Sequence, residues 1–224
     1  MEERLRKQLE ALFSGGKEVN YRSGQIIVRA GELPQKVFWI KSGLIRIYSL
    51  MEDGKELTLS MMGPGLFFSM PWVLNAAPSR YYFEAISQAT LLYLPRKIFL
   101  DFLDRHQELF KELIKFCLLT QEGLIMRVEF LIFGKASHKV AAAIFLACQY
   151  FNHTQTNEKI SLQLPLSHRL IASFASLSRE TTSLEMKQLA KKGIIFYKRR
   201  LLTINNLERL KEESKLFFAD ENLY

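Results

Sequence analysis

The sequence predicts an α+β chain: an N-terminal antiparallel β-roll, one long helix, and a C-terminal winged helix-turn-helix. Three observations predict it. Short apolar runs from Val19 to Leu94 are punctuated by Gly24, Gly31, Gly43, Gly54, Gly63 and Gly65, the rhythm of short strands joined by tight turns. From about Gln107 to Phe133 there is no proline and one glycine, with apolar residues recurring at helical spacing. Beyond Ser167, two short apolar-faced helical segments flank a turn, and the second opens on Ser178-Arg179-Glu180-Thr181.

At 224 residues the chain is long for one domain and comfortable for two. The expected division is a β-roll over residues 1–108, a long helix over 109–134 and a winged unit over 135–224. A charged amphipathic helix around residues 2–13 leads into the roll. Runs such as Val37 to Ile40, Leu44 to Tyr48, Glu56 to Ser60 and Ala89 to Leu94 are its strands. Met51-Glu-Asp53-Gly54-Lys55 marks a hairpin, because Asp-Gly tolerates the positive φ angles of a tight turn. Another helix follows Pro95.

In the long helix, Leu109, Phe116, Gly123 and Phe130 recur every seven residues, with Leu119, Met126 and Phe133 three positions on from the last three. This spacing predicts a coiled-coil-like dimer seam. A helix apolar on nearly every side must be covered on several sides, either within its own core or by a second copy. Phe133-Gly134-Lys135-Ala136 breaks the pattern and reads as a hinge. A helix over Lys139–Tyr150, a polar loop from Asn152 to Lys159 and a strand over 159–166 complete the approach to the two short helices.

The formal charge is +8, unevenly spread. Residues 136–205 carry ten Lys or Arg against three Asp or Glu, the electrostatic footprint of a phosphate-contacting surface. Ser167 caps the first helix, whose Leu170, Ile171 and Phe174 face inward, and small Ala172 permits a close helix crossing. Ser178 caps the second helix, placing Arg179 and Glu180 in its first turn, where a helix entering a DNA major groove reaches base edges. Arg179 can donate two hydrogen bonds to guanine and Glu180 can accept from cytosine, so a G·C-containing half-site is expected. Ser183 lies on the same base-reading stretch. Leu184, Met186 and Leu189 supply buried or contact surface, and Lys187 suits a phosphate. After Gly193, two strands joined by Lys198, Arg199 and Arg200 form a wing that adds sequence-independent affinity.

These features together resemble the Crp/Fnr family of bacterial transcription regulators, over nearly all of the chain. Ser178-Arg179-Glu180-Thr181 is the most specific match, to the recognition helix of the family's cyclic-AMP-binding branch. The resemblance implies a roll like a cyclic-nucleotide-binding domain, base contacts from Arg179 and Glu180, and phosphate contacts from Ser178 and His168. It also implies a homodimer on a palindromic double-stranded operator, with RNA polymerase as a partner. A later arginine that this branch uses on bases is matched by Leu184.

The resemblance further implies a nucleotide pocket, but its polar anchors are altered. Where the family has an acid after glycine, the chain reads Gly65-Leu66-Phe67-Phe68-Ser69-Met70; the Arg-Ser pair is inverted as Ser79-Arg80; and the purine-contacting positions fall near Leu124-Ile125. Unpaired buried polar groups cost about 1–3 kcal/mol each, so an effector other than cyclic AMP is expected. Phe67, Phe68, Met70, Trp72, Arg80, Tyr81, Leu124 and Ile125 would line a pocket for an apolar or aromatic molecule. The alternatives are that these residues simply fill the roll, or that the regulator responds to redox state.

Other classes are excluded on composition. A cupin-type enzyme needs clustered histidines, and none of His106, His138, His153 and His168 lies in the roll. No pair of them has metal-ligand spacing, so neither a metal nor another cofactor is expected. Cys117 and Cys148 read as small core residues, and two cysteines suit a reducing cytoplasm. The charged start and the absence of a long apolar run lead us to expect a soluble, intracellular protein with no membrane segment.

Overall fold

The structure is a computed structural model that describes residues 3–150, 155–156, 159–198 and 201–215. It divides into two compact units, Met1–Leu50 with Leu59–Glu122, and Met51–Thr58 with Gly123–Tyr224. The boundary therefore cuts the long helix rather than preceding it.

In the first unit, helix α1 (Glu3–Ser14) leads to β1 (Lys17–Tyr21), β2 (Ile26–Val28), β3 (Lys36–Ser42) and β4 (Ile45–Leu50). β5 (Glu56–Met62), which enters this unit at Leu59, then β6 (Phe67–Phe68), the short α2 (Met70–Asn75), β7 (Tyr82–Ala85), β8 (Ala89–Pro95) and α3 (Arg96–Arg105) follow. The strands form two antiparallel four-stranded sheets, in the orders β1-β8-β3-β6 and β2-β7-β4-β5. The Asp-Gly hairpin forms as its sequence requires: Gly54 sits at φ 79°, and the Met51 N–H donates to the Lys55 carbonyl at 2.8 Å.

The middle of β3 is buried on both faces of the first sheet, which explains why it reads as an unbroken apolar run. Val37 and Trp39 face a core shared with Leu5, Leu9 and Phe13 of α1, Phe99 and Leu103 of α3, and Leu109 and Leu113. Phe38 and Ile40 face the opposite way, into the roll interior with Ile45, Phe68, Phe83 and Leu91. Beyond the interior core, Arg46 of β4 pairs with Glu84 of β7 at 2.6 Å, both side chains largely buried, and its guanidinium lies over the Tyr48 ring.

Helix α4 (Gln107–Phe133) is one continuous helix, but its apolar faces are used differently from the expected seam. Leu109 and Gly123 are buried. Phe116 is half-buried, its ring 5.9 Å from that of Phe67, and Met126 and Phe130 are also half-buried. Of the expected seam only Leu119 and Phe133 are exposed. The outward row is instead Phe110, Ile114, Leu118, Ile125, Val128 and Ile132, each 41–65 % exposed. A heptad count finds apolar rows; it does not distinguish a row that covers its own core from one left open, and on a helix apolar all round both exist.

The second unit contains α5 (Ala136–Tyr150), β9 (Gln155–Thr156), β10 (Lys159–Pro165), α6 (His168–Ala175) and α7 (Arg179–Lys191). β11 (Ile195–Lys198), β12 (Leu201–Ile204) and α8 (Leu207–Ser214) complete it. Its sheet runs β11-β12-β10-β9, so the stretch expected to be a polar loop carries a short strand paired with Lys159 and Ile160. The α4–α5 break falls at the expected hinge. There the Gly134 N–H bonds to the Phe130 carbonyl at 2.9 Å, and a Cβ on Gly134 would stand 2.6 Å from that oxygen. Every residue from Val140 to Cys148 is buried, because α5 packs against α6, α7 and α8.

Candidate nucleic-acid interface

Two capping serines build the helix-turn-helix. Ser167 accepts from the Leu170 N–H at 3.1 Å and starts α6. The turn is made by Ser176 in the left-handed region (φ 53°), after which the Leu177 N–H returns to the Ala172 carbonyl. Ser178 then accepts from the Thr181 N–H at 3.1 Å and starts α7, while the Thr182 hydroxyl donates back to the Ser178 carbonyl. Each cap satisfies an N–H that the helix itself leaves open. Leu170, Ile171, Ala172 and Phe174 of α6 are buried with Thr182, Met186 and Leu189 of α7.

That packing fixes what α7 presents outward. Arg179, Glu180, Leu184 and Lys187 are exposed and Ser183 is half-buried. Glu180 is held ionised below the ordinary carboxyl range by its own main-chain N–H, then by the Ser178 hydroxyl and by Arg179. His168, the first residue of α6, is half-buried with its ring 4.9 Å from that of Tyr197 on β11. Burial pushes its imidazole below the ordinary value, and the neighbouring positive Arg179 and Lys187 push it further the same way. The fold thus gathers His168, Arg179 and Lys187 into one electropositive neighbourhood.

Gly193, at φ 70°, ends α7 and turns the chain into the wing, where Ile195–Lys198 pairs with Leu201–Ile204. Asn205 closes its base by donating to the Gly193 carbonyl at 3.1 Å. Lys198 is the last residue of β11; Arg199 and Arg200 lie outside the described residues. Within this unit, α6 is tied to the 51–58 segment. Buried Ser173 accepts from the Thr58 N–H at 2.9 Å, Arg169 pairs with Glu56 at 2.8 Å, and Arg127 donates to the Phe174 carbonyl. Sequence patterning did not reveal this anchoring, because its partners lie 47 to 115 residues apart.

Residues 18–106 match the model of the cyclic nucleotide-binding domain, and residues 138–213 match the Crp-like helix-turn-helix domain. The chain belongs to the Crp/Fnr family. It is 27 % identical over 188 residues to the nitrogen fixation regulation protein FixK of Rhizobium meliloti, covering 83 % of this chain and 81 % of the relative. It is 25 % identical over 175 residues to the cyclic AMP receptor protein of Thermus thermophilus, covering 78 % and 77 %. The structure of FixK2 from Bradyrhizobium japonicum shares the fold, with a TM-score of 0.75 at 22 % identity over 88 % of this chain and 96 % of that one. This Crp/Fnr chain is a DNA-binding transcription regulator.

In the Crp/Fnr roll, the residues expected to line one pocket are divided between two cores. Phe67 and Met70 pack with the helices, whereas Phe68 and Trp72 face the roll interior. Phe68 stacks on Phe38 on one side and Phe83 on the other, with ring centroids 5.0 Å apart in both pairs. Trp72 meets Phe83 edge-on at 5.4 Å and Tyr81 edge-on at 6.0 Å. Arg80 is exposed, as are Leu124 and Ile125. Two adjacent phenylalanines on a strand must point to opposite faces, and that alternation separates Phe67 from Phe68. A cavity of about 610 Å³ lies elsewhere, lined by Arg4, Gln8, Phe102, Arg105, His106 and Glu108 among others.

The cysteines part company as well. Cys148 is buried, its thiol donating to the Ile144 carbonyl at 2.9 Å and pushed up by burial, but Cys117 is exposed rather than in a core. Among the described residues no group of three or more His, Cys, Asp or Glu could hold a metal ion, and no helix is long and apolar enough to cross a membrane.

Proposed function

We propose that this Crp/Fnr regulator is a cytoplasmic homodimer that reads a palindromic operator through α7 and works with RNA polymerase. In each half-site Arg179 and Glu180 contact a G·C pair, assisted by Ser183. His168, Ser178, Lys187, Lys198, Arg199 and Arg200 meet phosphates. The observation that carries this is the capped first turn of α7, which holds Arg179 and Glu180 outward beside a buried face. Dimerisation uses the open row of α4 from Phe110 to Ile132, because six apolar side chains in one line call for a partner surface.

For the sensor we propose an apolar or aromatic effector rather than cyclic AMP, since Gly65-Leu66-Phe67 offers no carboxylate to a ribose hydroxyl. The Phe38–Phe68–Phe83 stack favours a second reading, in which the roll is a packed core and the regulator works without a small ligand. Operator selection from a random duplex pool tests the DNA reading, with Arg179→Ala/Glu180→Ala as the control that should lose selectivity. Thermal melting with cyclic AMP and with a panel of aromatic carboxylates separates the sensor readings. An aromatic hit supports an effector, no shift by any compound supports the packed roll, and stabilisation by cyclic AMP defeats both.

A further inference from the structure

Leu184 breaks the pattern of α7. The helix buries Thr182, Met186 and Leu189, and among the outward residues Arg179, Glu180, Lys187 and Lys191 all carry charge. Leu184 stands among them, one turn after Glu180 and one turn before Lys187, and is 61 % exposed. A leucine open to water on a charged face contributes nothing to the core beneath it. Its isobutyl group neither donates nor accepts a hydrogen bond, so it cannot address phosphates or the polar edges of bases.

We propose that Leu184 is a specificity-determining residue that reads a thymine through its C5 methyl group. Within the major groove that methyl is the apolar feature of the four standard base pairs, so a leucine pressed against the bases favours T·A. Facing guanine, the same leucine would cover the O6 and N7 acceptors without replacing their water hydrogen bonds, an unfavourable exchange. Position along the helix sets the location: four residues at a rise of about 1.5 Å advance about 6 Å, which is roughly two base-pair steps of about 3.4 Å. The thymine therefore lies about two base pairs from the G·C pair assigned to Glu180. This inference rests on the proposed reading of DNA by α7.

The test uses the full-length protein and the operator recovered by selection, with each thymine of a half-site replaced in turn by deoxyuridine, which lacks only the methyl. One such replacement should weaken binding about three- to tenfold, the loss expected for one apolar methyl contact. Leu184→Ala should bind the thymine operator more weakly by a similar factor and be indifferent to that replacement, while melting at an unchanged temperature. Leu184→Arg should move the preference at that base pair to G·C. The proposal is overturned if no deoxyuridine effect depends on residue 184, or if Leu184→Ala leaves binding intact and lowers only transcription with RNA polymerase, which would make Leu184 a protein contact. Arg179→Ala, carried in parallel, separates the two claims: loss of selectivity there with none at Leu184 removes this inference alone, and no loss at either removes the reading of DNA by α7.

Discussion

The roll interior and the outer face of α7 use similar side-chain types to opposite ends. In the roll, Phe38, Phe68, Phe83, Trp72 and Tyr81 turn their rings on one another, and the polar Arg46 and Glu84 are paired out of water. On α7, Arg179, Glu180 and Leu184 face solvent. The contrast teaches where each residue's free energy goes: contacts completed within the chain support folding, and contacts left open are available to a partner. Substitutions in the roll should therefore cost stability, and substitutions on the outer face of α7 should cost selectivity.

The sharpest way to break that division is Phe68→Ala, which removes a ring stacked on both faces and should cost about 3–5 kcal/mol in denaturant unfolding, with selectivity unchanged in the folded fraction. Glu84→Ala should cost about 2–3 kcal/mol, because it removes the charge-assisted hydrogen bonds from Arg46. Arg179→Ala and Glu180→Ala should each cost about 1–3 kcal/mol of discrimination against a wrong base pair, read by competition binding, with the protein still folded. Ser178→Ala lies on the border, since its hydroxyl holds the first turn of α7. It should lose about 1 kcal/mol of stability and weaken selectivity by loosening Arg179 and Glu180.

The smallest effect is a proton. His168 is held below the ordinary imidazole value of 6.5, first by burial and then by Arg179 and Lys187, so the folded protein keeps it neutral where the unfolded chain would protonate. The stability this contributes is present above about pH 6.5 and is lost as pH falls from there through the lower folded value. A phosphate beside the imidazole reverses the balance and favours the cation. Binding should then take up a proton and tighten as pH falls, and calorimetry in buffers of different ionisation enthalpy should detect the uptake. His168→Gln should abolish it.

How much of this was legible in the sequence depended on whether a residue's partner was near in the chain. Ser167, Ser178, the Asp53-Gly54 turn and Gly134 act on neighbours a few residues away, so caps, hairpin and the α4–α5 break stand where patterning placed them. The division of Phe67 from Phe68 follows from strand alternation once both are placed on β6, whereas the inward turn of Leu109, Phe116 and Gly123 depends on packing between distant segments, which apolar spacing does not encode. Leu184 is intermediate. Its outward position follows from the spacing of buried Thr182, Met186 and Leu189, once the buried side of α7 is known.

The central claim is that the first turn of α7 selects the DNA sequence, and selection from a random duplex pool tests it most directly. The full-length protein should enrich two inverted half-sites about 34–36 Å apart, or a multiple of one turn, each with a G·C pair that the folded Arg179→Ala/Glu180→Ala variant no longer selects. Recovery of the same motif by that variant, or of no motif by the unaltered protein, would contradict the account.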